Sequence, residues 1–386
     1  MNPNHTPTPV TERSVAPDLA RGSALLGIAL ANSVYYITAS RYGARSRPLG
    51  GSALDNAVDL ILVTLVDARW LPLFAALFGY GVVQMTRRQA APDRGRSVVR
   101  RHRFAWLVAF GAVHVLLLFG GDILAIYGLL GFVLLAMLRA RDRLLLVVAG
   151  LVLLLAVPLA ALVGMPPLGS ATRSSIPSLL TTDPWEALLL RVAAWPLDLV
   201  LLSLSALAPM LLGIHAARRR VLDEPHRHRR LLRRTALAGI PLGVAGGVPL
   251  GLIAAEVWAA GATTTFLFSC LHVLTGFAAS LGAGAAFGLL ATARRGPVVR
   301  ALAATGRRSL SCYLAQSVVF VALFAPYAGG LGDDVGTAAM ALVAALVWLA
   351  TVAAATLAER TARRGPAEVL LRRLTYARSS RAFTRV

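Results

Sequence analysis

Long apolar runs, separated by short gaps that contain arginine, dominate this sequence. A bilayer-spanning helix needs about 17–25 mostly apolar residues. Ten runs meet this length: residues 22–40, 69–86, 103–120, 122–138, 143–163, 192–216, 235–258, 264–292, 309–327 and 335–357. The chain is 57% hydrophobic and only 15% charged, whereas soluble domains are about 25% charged. We therefore predict an all-α fold, a polytopic integral membrane helical bundle with about ten transmembrane helices.

The arginines predict how this bundle is oriented. All 39 basic residues are arginine, and the net charge is +21. With a cytoplasmic N-terminus and ten spans, 33 of them fall in inner segments, as the positive-inside rule requires. This bias predicts a multi-pass protein of the cell inner (cytoplasmic) membrane with both termini cytoplasmic. It also identifies the lipid bilayer, and no nucleic acid, as the partner of the positive charge.

The composition also divides the chain into three regions and excludes some chemistries. We expect a disordered N-terminal tail at residues 1–17, a transmembrane helical domain at 18–358, and a basic cytoplasmic tail at 359–386.

Because lysine is absent, a P-loop lysine and a lysine Schiff base are excluded. We find no zinc motif, nucleotide-binding glycine loop or G-x-S-x-G elbow, and we expect no metal.

His114 and Asp122 form the first polar pair within the apolar runs. They flank a Gly120-Gly121 turn, so a tight helical hairpin would bring them together. A carboxylate that holds one imidazole nitrogen leaves the other free to act as a general base. The same residues also suit plainer roles, since Asp122 can cap a helix and a membrane histidine can serve packing.

Asp18, Arg21 and Asn32 lie near one face of the first span, with Asn32 about 16 Å beyond Arg21. Asp18 and Arg21 are spaced to form an ion pair. Asn32 would then place an amide near the middle of the membrane, where it serves either function or a hydrogen bond between helices.

A second polar stripe lies in the ninth span. Ser309, Tyr313 and Gln316 follow one another at helical spacing, directly after Arg307 and Arg308. This stripe suits either a hydrated path or a neighbouring helix. The two arginines could hold an anionic ligand at the inner surface, or serve the topology rule alone.

Several motifs together resemble the YeiB-type bacterial membrane proteins, the family called domain of unknown function 418. They are DLARGSALLGIALAN (18–32), LFAALFGYG (73–81), His114 with GGDILAIYG (120–128), GRRSLSCYLAQS (306–317), and RGPAE with RRLTY (364–376). A weaker similarity is to the transmembrane acyltransferase superfamily, which also opens with D-x-x-R-G. Where one branch of that superfamily has a catalytic histidine, this chain has Asn32.

The resemblance and the polar residues together lead to an acyltransferase-like hypothesis. The chain would move an acyl group to a small-molecule or envelope acceptor, with acyl-CoA as the candidate co-substrate and no bound cofactor. The candidate catalytic residues are His114, Asp122, Asn32 and Tyr313. The candidate donor-binding residues are Arg21, Arg307, Arg308 and Gln316. A small-metabolite transporter or exporter, or a membrane protein without chemistry, are the alternatives.

Overall fold

The computed structural model describes residues 15–88, 94–167, 171–173, 175–293 and 296–382, and within them the regular elements are helices. The α-helices in chain order are α1 Ala16–Ser33, α2 Ala53–Leu65, α3 Trp70–Arg88, α4 Arg94–Leu117, α5 Leu124–Met137, α6 Asp142–Val163, α7 Pro184–Arg218, α8 Arg229–Ala254, α9 Ala262–Leu290, α10 Pro297–Arg307, α11 Ser309–Phe324, α12 Thr337–Arg360 and α13 Pro366–Ala382.

Each of the ten predicted apolar runs coincides with one helix, and the prediction of a helical membrane protein is confirmed. Among the described residues, six segments are long and apolar enough to cross a membrane: Ala53–Arg87, Asp142–Val163, Pro184–Arg218, Arg229–Ala254, Ala262–Leu290 and Thr337–Arg360. The helices α5 and α11 are apolar but shorter. The number of ten spans therefore stays a prediction.

The two ends of the chain differ from a simple bundle-and-tails arrangement. Of the predicted disordered tail, residues 1–14 lie outside the described residues, and α1 begins at Ala16. The predicted basic tail contains a further helix, α13, which packs on α4 and α11.

Residues 53–65 lie between the first two predicted spans, yet they form the helix α2, which packs on α8.

Helix α1 occupies the centre of the bundle, where it contacts α3, α9, α10, α11 and α12. The short connection after α4 makes α4 and α5 an antiparallel hairpin, as the Gly120-Gly121 turn predicts. The hairpin and α11 then meet through polar side chains, so three helices far apart in sequence position the candidate site.

A buried ion network holds the loop after α1 onto α2 and α12. The Arg47 guanidinium is fully buried, 3.2 Å from the Asp59 carboxylate and 2.9 Å from that of Asp67. The Thr337 hydroxyl donates to the other Asp59 oxygen at 3.2 Å. Burial opposes the charged form of Arg47, but Asp67 and Asp59 outweigh it and raise its pKa. The charge of the buried Arg47 guanidinium is thus stabilised by the two carboxylates that contact it.

Glycines let several helices approach closely. A methyl group at Gly213 in α7 would collide with the carbonyl of Ala76 in α3. Gly239 and Gly243 in α8 meet the backbone and side chains of α9 in the same way. The glycine repeat in α8 therefore serves helix packing, as its four-residue spacing indicates.

We predict that Arg47→Met lowers the free energy of unfolding by about 3–5 kcal/mol, because it removes the buried guanidinium that lies between the buried carboxylates of Asp59 and Asp67. The measurement is thermal unfolding in detergent, followed by tryptophan fluorescence. Adding Asp59→Asn and Asp67→Asn should restore part of the loss. Arg220→Ala, which removes an exposed pair with Glu224, is the control and should unfold at the wild-type temperature. An unchanged unfolding temperature for Arg47→Met would contradict the network.

We also predict that Gly213→Ala destabilises the protein by about 1–3 kcal/mol, because the new methyl group overpacks the contact between α3 and α7. Gly150→Ala in α6 is the matched control, since its methyl group would point into open space and alanine favours the helix. The same unfolding assay separates them. Equal unfolding temperatures for both variants would exclude a tight contact at Gly213.

Candidate functional site

The turn between α4 and α5 places Asp122 against His114. Asp122 lies just before α5, and one of its carboxylate oxygens accepts the Ala125 N–H at 2.7 Å. The other oxygen lies 3.0 Å from His114 Nδ1. A methyl group at Gly111 would occupy the space of this carboxylate, so glycine lets the turn fold back onto α4. The predicted juxtaposition of His114 and Asp122 is confirmed, together with the helix-capping role of Asp122.

The second imidazole nitrogen of His114 faces α11. The Ser317 hydroxyl lies 2.9 Å from His114 Nε2, and the more distant Tyr313 carbonyl lies 3.4 Å from the same hydroxyl. Ser317 Oγ and His114 Nε2 form a hydrogen bond in which either atom can donate, depending on the imidazole tautomer. The side chains of Asp122, His114 and Ser317 therefore lie in contact, one after the other, and we call these three residues the relay. They come from the turn before α5, from α4 and from α11.

The three side chains of the relay are buried inside the protein. Of the three residues, His114 is 1%, Asp122 2% and Ser317 6% exposed. The Tyr313 ring lies beside the imidazole, with the ring centroids 5.1 Å apart. Electrostatic interactions are stronger in such surroundings than in water. A proton on the Ser317 hydroxyl has a buried base beside it and a buried carboxylate behind that base.

A cavity of about 10 Å³ adjoins Ser317. It is lined also by Asn32, Tyr36, Tyr313 and Gln316. Gln316 is 2% exposed, and its side-chain nitrogen has no hydrogen-bond partner within the part of the chain that the structure describes. The volume is about that needed for one water molecule. Two amide and three hydroxyl side chains thus line a space for one small polar group, together with apolar residues.

A much larger cavity, of about 750 Å³, lies on the other side of Tyr313. Its walls are the aromatic and aliphatic side chains of α3, α4 and α5, and Tyr313 lines both cavities. Four arginines also line it: Arg21, Arg103, Arg307 and Arg372. Asp18 and Glu368 are the acidic groups of its lining. The cavity therefore combines a cationic part with an apolar part that reaches Tyr313.

The structure separates the four predicted donor-binding residues. Arg21 and Arg307 line the large cavity. Arg21 also pairs with Asp18 at 3.4 Å, as its spacing predicts, and donates to the Leu77 carbonyl. Gln316 lies instead at the small cavity.

Arg308 lies apart from both cavities. Its guanidinium lies 2.7 Å from the Glu359 carboxylate and donates to the carbonyls of Ala304 and Arg363. These bonds fix the junction of α10 and α11 to the end of α12. The structure thus gives Arg308 a bracing role.

Sequence reasoning missed three residues of this region. Ser317 is one helical turn beyond Tyr313 in α11, and extending the predicted polar stripe by one residue would have included it. Arg103 and Arg372 line the large cavity but come from α4 and α13, where their sequence context indicated only topology. In the described residues, no cluster of three or more His, Cys, Asp or Glu side chains could hold a metal ion.

Comparison with known proteins places this chain among bacterial relatives. Residues 216–378 match the family model described as "Protein of unknown function (DUF418)". "Uncharacterized protein YxaH" of Bacillus subtilis (strain 168) is 29% identical over 96% of this chain and 96% of its own length. "Uncharacterized protein YeiB" of Escherichia coli (strain K12) is 28% identical over 97% and 99%. The predicted resemblance to the YeiB-like DUF418 family is confirmed, by the family model over residues 216–378 and by these two relatives over nearly the whole chain.

Proposed function

We propose that this protein is an acyltransferase of the bacterial cytoplasmic membrane. The observation that carries the proposal is the position of Tyr313. This side chain ends an arginine-lined cavity on one side and packs against His114, the partner of Asp122, on the other. An acyl donor in the cavity would thus have its reactive end near a general base.

The donor in this proposal is an acyl thioester with phosphate groups, such as acyl-CoA. Arg21, Arg103, Arg307 and Arg372 supply guanidinium groups suited to phosphate oxygens. His114 and Arg103 are eleven residues apart in α4, which corresponds to about 16 Å along the helix. A pantetheine arm can extend over that distance through the apolar part of the cavity. The arginine-rich face then faces the cytoplasm, where such donors occur.

The chemistry assigned to the site is transfer of the acyl group to a hydroxyl or amine. His114 Nε2 takes the acceptor proton, and Asp122 holds the imidazole in the required tautomer. Asn32, Tyr313 and the unpartnered Gln316 amide donate hydrogen bonds to the developing oxyanion. The carbon–sulfur bond of the donor breaks, and its thiolate leaves with the proton from His114. The acceptor is a small molecule or an envelope component that reaches the site from the opposite face.

Transport is the rival class of function, since buried polar groups also suit a permeation path. An aspartate–histidine pair also occurs in the proton relays of transporters. The Ser317 hydroxyl beside His114 Nε2 favours chemistry, because a proton relay requires no nucleophile at that position. Liposome counterflow with the acceptor, without release of CoA, would be the signature of a transporter.

We predict that His114→Ala lowers acyl transfer from acetyl-CoA by 10²- to 10⁴-fold, the usual contribution of a general base. Asp122→Asn should also slow transfer, and it preserves an oxygen for the Ala125 cap. The assay measures CoA release by the purified protein in nanodiscs. His215→Ala, at a partly exposed histidine beside Asp142, is the control. Wild-type turnover by a folded His114→Ala variant would exclude this mechanism.

We further predict that Arg307→Ala and Arg372→Ala each weaken acetyl-CoA binding by about 10-fold, which corresponds to the loss of a charge-assisted hydrogen bond. Arg307→Ala should keep the fold, because Glu359 retains Arg308 as a partner. Arg230→Ala removes an exposed arginine that is not part of either cavity lining and is the control. Calorimetric titration at two salt concentrations provides the measurement. Equal affinities of all three variants would place the donor elsewhere.

A further inference from the structure

The hydroxyl nearest to the proposed base belongs to the protein itself. Ser317 Oγ lies 2.9 Å from His114 Nε2, the nitrogen that an acceptor would need to reach. An external hydroxyl can use this nitrogen only after Ser317 has moved or reacted. On the basis of the proposed function, we propose that Ser317 is the first acyl acceptor and carries the acyl group as an ester before it passes to the final acceptor.

The geometry of the three side chains meets the requirements of an activated nucleophile. A serine needs a base within about 2.6–3.2 Å, and the base needs a third group that orients it. Ser317 Oγ is hydrogen-bonded to His114 Nε2 at 2.9 Å, and the Asp122 carboxylate lies 3.0 Å from His114 Nδ1, a contact that meets the distance but not the angle of a hydrogen bond. The three residues come from α11, α4 and the turn before α5, so only the tertiary fold assembles them.

The space beside Ser317 is suited to an oxyanion. The side-chain nitrogen of Gln316 is buried in the same cavity and has no hydrogen-bond partner among the described residues. Asn32, in α1, lines the same cavity. A buried amide donor without an acceptor is costly in a resting protein. It becomes favourable when a carbonyl oxygen gains negative charge within the cavity.

Tyr313 controls access of the acyl group to Ser317. The small cavity, at about 10 Å³, holds one oxygen-sized group and no acyl chain. Tyr313 lines both cavities and precedes Ser317 by one helical turn. The proposal requires a change in the Tyr313 side-chain rotamer that joins the two cavities, so that the acyl chain stays in the large cavity while its carbonyl carbon reaches Ser317.

The transfer balances in two steps. Ser317 Oγ attacks the thioester carbon as its proton moves to His114 Nε2, the carbon–sulfur bond breaks, and the thiolate leaves with that proton. The acyl group is then an ester of Ser317. The acceptor hydroxyl or amine attacks this ester, gives its proton to His114, and the proton returns to Ser317 Oγ as the ester bond breaks.

A serine-directed reagent tests the nucleophile without knowledge of the natural donor. The full-length protein in detergent is treated with a small alkyl fluorophosphonate, which forms a phosphorus–oxygen bond and releases fluoride. We expect peptide mass spectrometry to find the label on Ser317. Labelling should fall at least 10-fold in His114→Ala and in Asp122→Asn. In Tyr313→Ala, which removes the ring between the two cavities together with one proposed oxyanion donor, the label should still be found on Ser317.

Ser280→Ala is the matched control, since Ser280 is a buried membrane serine whose hydroxyl donates to the Phe277 carbonyl. It should be labelled at Ser317 like the wild type. Absence of label at Ser317 in both the wild type and Tyr313→Ala would overturn the inference. Labelling that is insensitive to His114→Ala would also overturn it, because the serine would then not be activated by the relay.

Turnover with acetyl-CoA separates this inference from the proposed function. If Ser317→Ala transfers acetyl groups at the wild-type rate while His114→Ala does not, direct transfer is correct and the serine ester is excluded. If Ser317 is labelled but no acetyl transfer or CoA release occurs, the activated serine stands and the acyltransferase proposal fails. A hydroxylamine-sensitive acetyl group on Ser317 after incubation with acetyl-CoA alone supports both.

Discussion

Removal of polar groups from water is the constraint on which the rest of this structure depends. In a helical membrane protein, a buried charge or hydrogen-bonding group without an internal partner is costly. Arg47 has such partners in Asp59 and Asp67, and Arg308 has them in Glu359 and backbone carbonyls. These groups brace the fold. The side chains of Asp122, His114 and Ser317 also contact one another, but they adjoin the small cavity and include the hydroxyl that we propose as the nucleophile.

The candidate site depends on two kinds of fit. The α4–α5 hairpin supplies His114 and Asp122 together, because Gly111 leaves room for the turn that carries the carboxylate. Helix α11 supplies Tyr313, Gln316 and Ser317. The side chain that lines both cavities, the proposed oxyanion donor and the proposed nucleophile therefore belong to one helix. A shift of α11 would therefore alter access and chemistry together, which is a compact way to couple donor binding to reaction.

The sequence predicts much of the fold because apolar runs of bilayer length form helices largely independently of their neighbours. It does not predict α2, since residues 53–65 are short and contain Asp55 and Asp59. Arg47 and the distant Thr337 pair with Asp59 and so make its burial in that segment possible. The pair His114 and Asp122 is predictable because a short turn joins them. Its contact with Ser317 spans 203 residues, and no local pattern specifies which helix packs there.

In the proposed mechanism, the acyl carbon of the donor reaches the relay of Asp122, His114 and Ser317 from the arginine-lined cavity. A cryo-electron microscopy structure with a non-hydrolysable acetyl-CoA analogue tests this most directly. We expect the phosphates of the analogue beside Arg307 and Arg372. We expect its carbonyl carbon within about 3–3.5 Å of Ser317 Oγ, the separation of a near-attack geometry. An analogue bound outside this cavity, or with its carbonyl carbon on the far side of a closed Tyr313, would contradict it.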